Sequence, residues 1–212
     1  MIIGIILGCF LVSTFLLVIA KRITALVHAF RMQSVFLFLY TLYMSIGQQS
    51  TELFAVCALV LALKVVIIPL VLMRITRRIN TEEDLGLLIN PQISLVVAAV
   101  LAYLSYLFTY NAMGLAHSSA SIAFVASMAA ASIGFFLMVS RMKALGQVVG
   151  LLVMENAIFL AASVITGGMP FFAEIALFFD VLVFVVIVEV FVYKVNRLFT
   201  HIDTSKMQSL KG

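Results

Sequence analysis

An all-α, polytopic membrane protein with seven transmembrane helices is the fold class this sequence predicts. Three observations carry the prediction. The chain of 212 residues is 65% hydrophobic and 10% charged, with a mean hydropathy of +1.25. No water-soluble domain can hide that much apolar surface. Seven apolar stretches approach the roughly 20 residues a helix needs to cross a hydrocarbon core. The basic residues also sort to one side of those stretches, as described below.

The expected spans are 1–20, 25–47, 52–74, 93–110, 118–140, 147–167 and 171–194. Lys21-Arg22 ends the first, and Gly47-Gln48-Gln49-Ser50 ends the second. Asn90-Pro91 precedes the fourth, the shortest, and Asn111 to Ser118 closes it. Gly167-Gly168-Met169-Pro170 separates the sixth from the seventh. The first span lacks the basic n-region of a cleaved signal peptide and is expected to stay in the membrane.

Of the 13 Lys and Arg residues, Arg31 and Lys64 fall inside spans, and the other 13 − 2 = 11 follow odd-numbered spans. Basic loops remain cytoplasmic, which predicts an outside N-terminus and a cytoplasmic C-terminus. The net charge of +4 is therefore a topological signal and not a nucleic-acid footprint. Residues 1–199 read as one transmembrane domain and 200–212 as a cytoplasmic tail.

Spans 1–3 resemble spans 5–7. Lys21 to Gln33 and Lys143 to Glu155 are both 12 residues (33 − 21, 155 − 143). Lys64 to Arg78 and Asp180 to Lys194 are both 14 (78 − 64, 194 − 180). The expected organisation is a parallel repeat, about 1–78 and about 118–199, with the helix at about 93–110 as connector.

The polar residues inside these spans are the candidate functional positions. Lys64 lies 64 − 52 = 12 residues past Glu52, about 18 Å along a helix, and Glu155 and Asp180 fall at similar mid-span depths. A carboxylate at mid-depth in a core about 30 Å thick needs a partner cation, a proton or water. Glu155, Asp180 and Lys64 are thus candidates for a proton or ion pathway. A static lock between helices, for instance Lys64 with Asp180, is the plainer alternative. Glu189, nine residues after Asp180, falls on the opposite helix face, where it meets a partner subunit or interfacial water. His28, Arg31 and Gln33 occupy the first half of span 2 and form either a cytoplasmic proton entry or, for Arg31, a snorkelling cation. Pro69 removes a backbone hydrogen bond to Val65 and predicts a local break just after Lys64.

No phosphate loop, CxxC or His/Cys cluster is present, and Cys9 and Cys57 lie in separate apolar segments. No catalytic residue, metal ligand or cofactor is assigned to this chain. The stretch Gly150-Leu-Leu-Val-Met154-Glu155-Asn156, followed by a span with a central acid, resembles the K subunit of respiratory complex I and the C subunit of multisubunit cation/proton antiporters. Glu155 matches the first of the K subunit's two pathway glutamates, and Asp180 stands where the second would be. Lys64 followed by Pro69, Met154-Glu155-Asn156, Asp180 and the ending Leu210-Lys211-Gly212 together resemble the E subunit of hydrogenase-4. Ala157 departs from that pattern, which has glycine there.

The resemblance implies a multi-pass subunit of the prokaryotic inner membrane, within a complex-I-like or group 4 [NiFe] hydrogenase assembly. It implies antiporter-like membrane subunits and a peripheral hydrogenase-type redox arm as partners. Nickel–iron and iron–sulfur centres would belong to those partners. The alternatives are a cation/proton antiporter subunit without a redox partner and a purely structural membrane anchor.

Overall fold

The computed structural model describes residues 2–79, 88–114, 116 and 118–166, and every described element is helical. Six helices among these residues are long and apolar enough to cross a membrane. The predicted seventh span, with Asp180 and Glu189, lies outside the described residues, as do His117 and the tail.

Helix α1 is Ile2–Ile19 and α2 is Ile23–Gln48. The break expected at Gly47-Gln48-Gln49-Ser50 is present, and Gln49 adopts the left-handed conformation that ends α2 (φ 50°, ψ 30°). Helix α3 spans 51–79 in three parts: Thr51–Val60, a π-helical stretch Leu61–Ile67, and Ile68–Ile79. Helix α4 runs from Pro91, at the first-turn position where its missing N–H costs nothing, and ends in a π-helical turn Phe108–Ala112. It is thus longer at both ends than the expected 93–110. Helix α5, Ser119–Ser140, opens with a capping box between Ser118 and Ser121. Helix α6, Ala144–Thr166, starts three residues before the expected 147. Glu155 is consequently 155 − 144 = 11 residues in, about 16 Å along the axis.

Helices α5 and α6 pack most intimately, and their sequence dictates why. Ala126, Ala130 and Gly134 recur every four residues on α5, and Gly146 and Gly150 do so on α6. A Cβ at Gly134 would meet the Met154 amide nitrogen at 2.8 Å, and one at Gly150 would meet the Met138 amide nitrogen at 2.6 Å. Backbone touches backbone, so only glycine fits at either position.

The outer surface is apolar, with Val12, Leu70, Val96, Tyr103 and Ile165 among the exposed large side chains. Such a surface is compatible with a lipid environment. Inside, the core is divided. One apolar cluster, at the end bearing Lys21, Arg22 and Arg141, contains Leu17, Leu26, Phe30, Leu72, Leu137 and Val149. The other, at the opposite end, contains Phe10, Leu37, Val60, Ala126, Ala157 and Leu160. Between them, α1, α2, α3 and α6 each contribute buried polar residues at one level: Ser13 and Thr14, Gln33 and Ser34, Lys64, Glu155 and Asn156.

Candidate functional site

This polar layer is built from single turns of four helices. On α6, Glu155 and Asn156 are adjacent and so point about 100° apart. Glu155 reaches α3: its Oε1 lies 3.3 Å from the Lys64 Nζ, in an ion pair whose side chains are almost fully buried. The ammonium also sits 5.7 Å from the centroid of the Phe159 ring. Phe159 follows Glu155 by four residues and shares its helix face. One face of α6 therefore offers Lys64 both an anion and an aromatic ring.

Asn156 turns toward α2. Its Nδ2 donates to Ser34 Oγ at 3.1 Å and to Gln33 Oε1 at 3.4 Å. Gln33 Nε2 donates to Thr14 Oγ1 on α1 at 2.8 Å, and the Thr14 hydroxyl donates to the Phe10 carbonyl at 2.9 Å. Every donor in this chain points the same way, from α6 through α2 to α1. Gln33 uses its N–H on Thr14 and its oxygen on Asn156, which satisfies both ends of an amide that would otherwise be costly to bury. Asn156 Oδ1 has no hydrogen-bond partner among the described residues.

Lys64 projects from the centre of the π-helical stretch Leu61–Ile67. The Ile68 N–H bonds to the Leu63 carbonyl, five residues back. Pro69 explains this widening: it has no N–H to give, and its ring crowds the carbonyl four residues before it. The break expected just after Lys64 thus surrounds Lys64, and π-helical turns are frequent at functional sites. The expected alternative partner, Asp180, lies outside the described residues; within them Lys64 pairs with Glu155.

The structure separates the remaining candidates. Gln33 joins the layer, whereas His28 and Arg31 are exposed and line a cleft between α2 and α3. Glu189 lies outside the described residues. Among those residues no three His, Cys, Asp or Glu side chains come together.

Sequence reasoning missed what four residues do. Thr14 and Ser34 looked like ordinary small polar residues in apolar helices. Asn156 entered only as part of a motif, although its position beside Glu155 was a signal. Arg141 was read solely as a basic loop residue. It is fully buried, and its Nη2 donates to the Leu17 and Val18 carbonyls at 3.0 and 2.9 Å. These carbonyls belong to the last turn of α1, where no intrahelical donor is available, and a cation there also favours the helix dipole. Burial pulls the Arg141 guanidinium down to about 10, so it remains charged at neutral pH. Arg141 therefore ties the α5–α6 turn to the end of α1.

The chain is 27% identical over 205 residues to a protein of Mycobacterium tuberculosis described as "Uncharacterized protein Rv0085", covering 96% of this chain and 93% of that one. No family model and no solved structure matches it.

Proposed function

We propose that this chain is a non-catalytic membrane subunit of a redox-driven ion pump, of the complex-I-like or group 4 hydrogenase kind. The observation that carries the reading is the Lys64–Glu155 pair, buried at 3.3 Å between two apolar clusters where α3 is π-helical. A packed core seldom holds two charges at that depth without a use for them. Protonation of Glu155 cancels its attraction for Lys64. The ammonium then needs another counter-charge, and Asp180, in the seventh span, is the one assigned here. The reading includes the seven-span topology, the parallel repeat, the outside N-terminus and cytoplasmic C-terminus, and a prokaryotic inner membrane location. Antiporter-like subunits and a redox arm carrying the nickel–iron and iron–sulfur centres complete the assembly.

The test is Glu155→Gln in the assembled complex. Ion pumping falls while electron transfer to an artificial acceptor persists. Equal loss of both activities in an intact complex overturns the proposal.

A second reading, in which the pair is only a lock between α3 and α6, draws support from the hydrogen-bonded layer beside it. It predicts less assembled complex and unchanged pumping per complex.

A further inference from the structure

The cleft between α2 and α3 has a volume of about 660 Å³ and is lined by His28 and Arg31 from α2 and by Arg74 from α3. Its remaining wall is apolar, with Val66, Pro69 and Leu70 among its residues. No acidic residue occurs among its described lining residues. Arg31 and Arg74 carry permanent charge. Two guanidiniums around one cleft repel each other and any passing cation, so the cleft suits an anion and not a proton entry.

Depth sharpens the requirement. Arg31 stands two residues before Gln33, which belongs to the mid-depth polar layer, so its Cα lies only about 3 Å nearer the basic end. Side chains lean toward a helix's N-terminus, which takes the Arg31 guanidinium toward the basic end of the bundle. Arg74 stands 74 − 64 = 10 residues past Lys64, about 15 Å toward the basic end, and on the opposite-running α3 its side chain leans back toward mid-depth and so toward the Arg31 guanidinium. An exposed guanidinium at such depth is costly unless an anion accompanies it. The apolar wall, with Leu70 61% exposed, opens sideways to the surroundings of the bundle.

We infer that this cleft binds an anionic phospholipid, with the phosphate group between Arg31 and Arg74 and an acyl chain against Val66, Pro69 and Leu70. Basic pockets between helices near one membrane face recognise such head groups. The shared chemistry is a phosphate anion. A free phosphate would satisfy the two arginines but would leave the apolar wall without a partner.

The chain contains no tryptophan, so Leu70→Trp places a single fluorescent reporter in the cleft. The full chain carrying it is reconstituted into phosphatidylcholine vesicles, and brominated phosphatidylglycerol or brominated phosphatidylcholine serves as quencher. The expected result is preferential quenching by the anionic lipid. At about fivefold for each arginine, Arg31→Gln with Arg74→Gln lowers that preference by up to roughly 25-fold. Arg31→Lys with Arg74→Lys retains most of it, which separates loss of charge from loss of folding. Inorganic phosphate leaves the quenching unchanged if a lipid is bound. Equal quenching by both lipids, an unaltered preference in the glutamine variant, or full relief by inorganic phosphate would each overturn the inference.

Discussion

Removing one member of the Lys64–Glu155 pair should cost far more than removing both. At 3.3 Å, and with an effective dielectric constant of about 20, the attraction between the two charges is about 5 kcal/mol. Much of it offsets the desolvation of two ions held in an apolar interior. Glu155→Met takes from the ammonium, and Lys64→Met takes from the carboxylate, the opposite charge 3.3 Å away. Each single change is expected to destabilise the fold by about 3–5 kcal/mol. The double variant leaves no charge and a volume close to the original, so it should fall within about 1.5 kcal/mol of the parent. The assay is a double-mutant cycle on the solubilised chain, unfolded reversibly in graded detergent. A coupling energy of several kcal/mol is expected. Additivity of the single costs within about 0.5 kcal/mol would refute the claim that the pair is formed and dry.

Four further outcomes test the architecture. Gly134→Ala should destabilise by about 1–3 kcal/mol, because its Cβ meets backbone atoms of α6 that cannot move alone. Gly8→Ala, with nothing within 4 Å of the added Cβ, should be neutral or stabilising, and thermal melts of the two variants check the contrast. Asn156→Leu leaves the Gln33 oxygen without its donor and should cost about 1–3 kcal/mol, part of it recovered in the Asn156→Leu, Gln33→Leu double variant in the same melt. Arg141→Met should also lower the melting temperature, and between pH 6 and about pH 9 that deficit should be constant, since the guanidinium is protonated in the folded and unfolded chains alike. Above about pH 10 the folded chain gives up the proton first, so the unfolded chain binds more protons and the parent gains stability with rising pH relative to Arg141→Met.

The spans were legible because lipid exposure leaves an unmistakable composition; α1 to α6 fall where the apolar stretches lie. The ends were less legible. The start of α6 at Ala144 was missed since Gly146 looks like a loop residue, yet Gly146 is buried within the helix, and Gln147 Nε2 beside it bonds the Arg141 carbonyl at 3.0 Å. Lys64 and Glu155 were legible as individuals because each stands out in an apolar run. Their pairing was not, because nothing in a one-dimensional pattern states which helices touch. Arg141 was illegible for the same reason: its partners are backbone carbonyls more than 120 residues away, and a carbonyl carries no sequence signature.

The division of labour within the polar layer follows from the chemistry of its groups. The Asn156–Gln33–Thr14 chain contains two amides, and an amide cannot accept a proton at one end and release another without becoming an imidic acid. Its hydrogen bonds also run in one fixed direction. That branch therefore holds α1, α2 and α6 in register and conducts nothing. Glu155 and Lys64 are the titratable members of the layer. They sit where α3 is π-helical before Pro69, so the ammonium is carried by a turn whose hydrogen bonds reach five residues back in place of four. A hydrogen-bonded branch on one side of α6 and a π-helical turn on the other suit the proposed proton-coupled switch: in that proposal the charge on Glu155 changes, Lys64 moves in response, and the remaining helices stay in place.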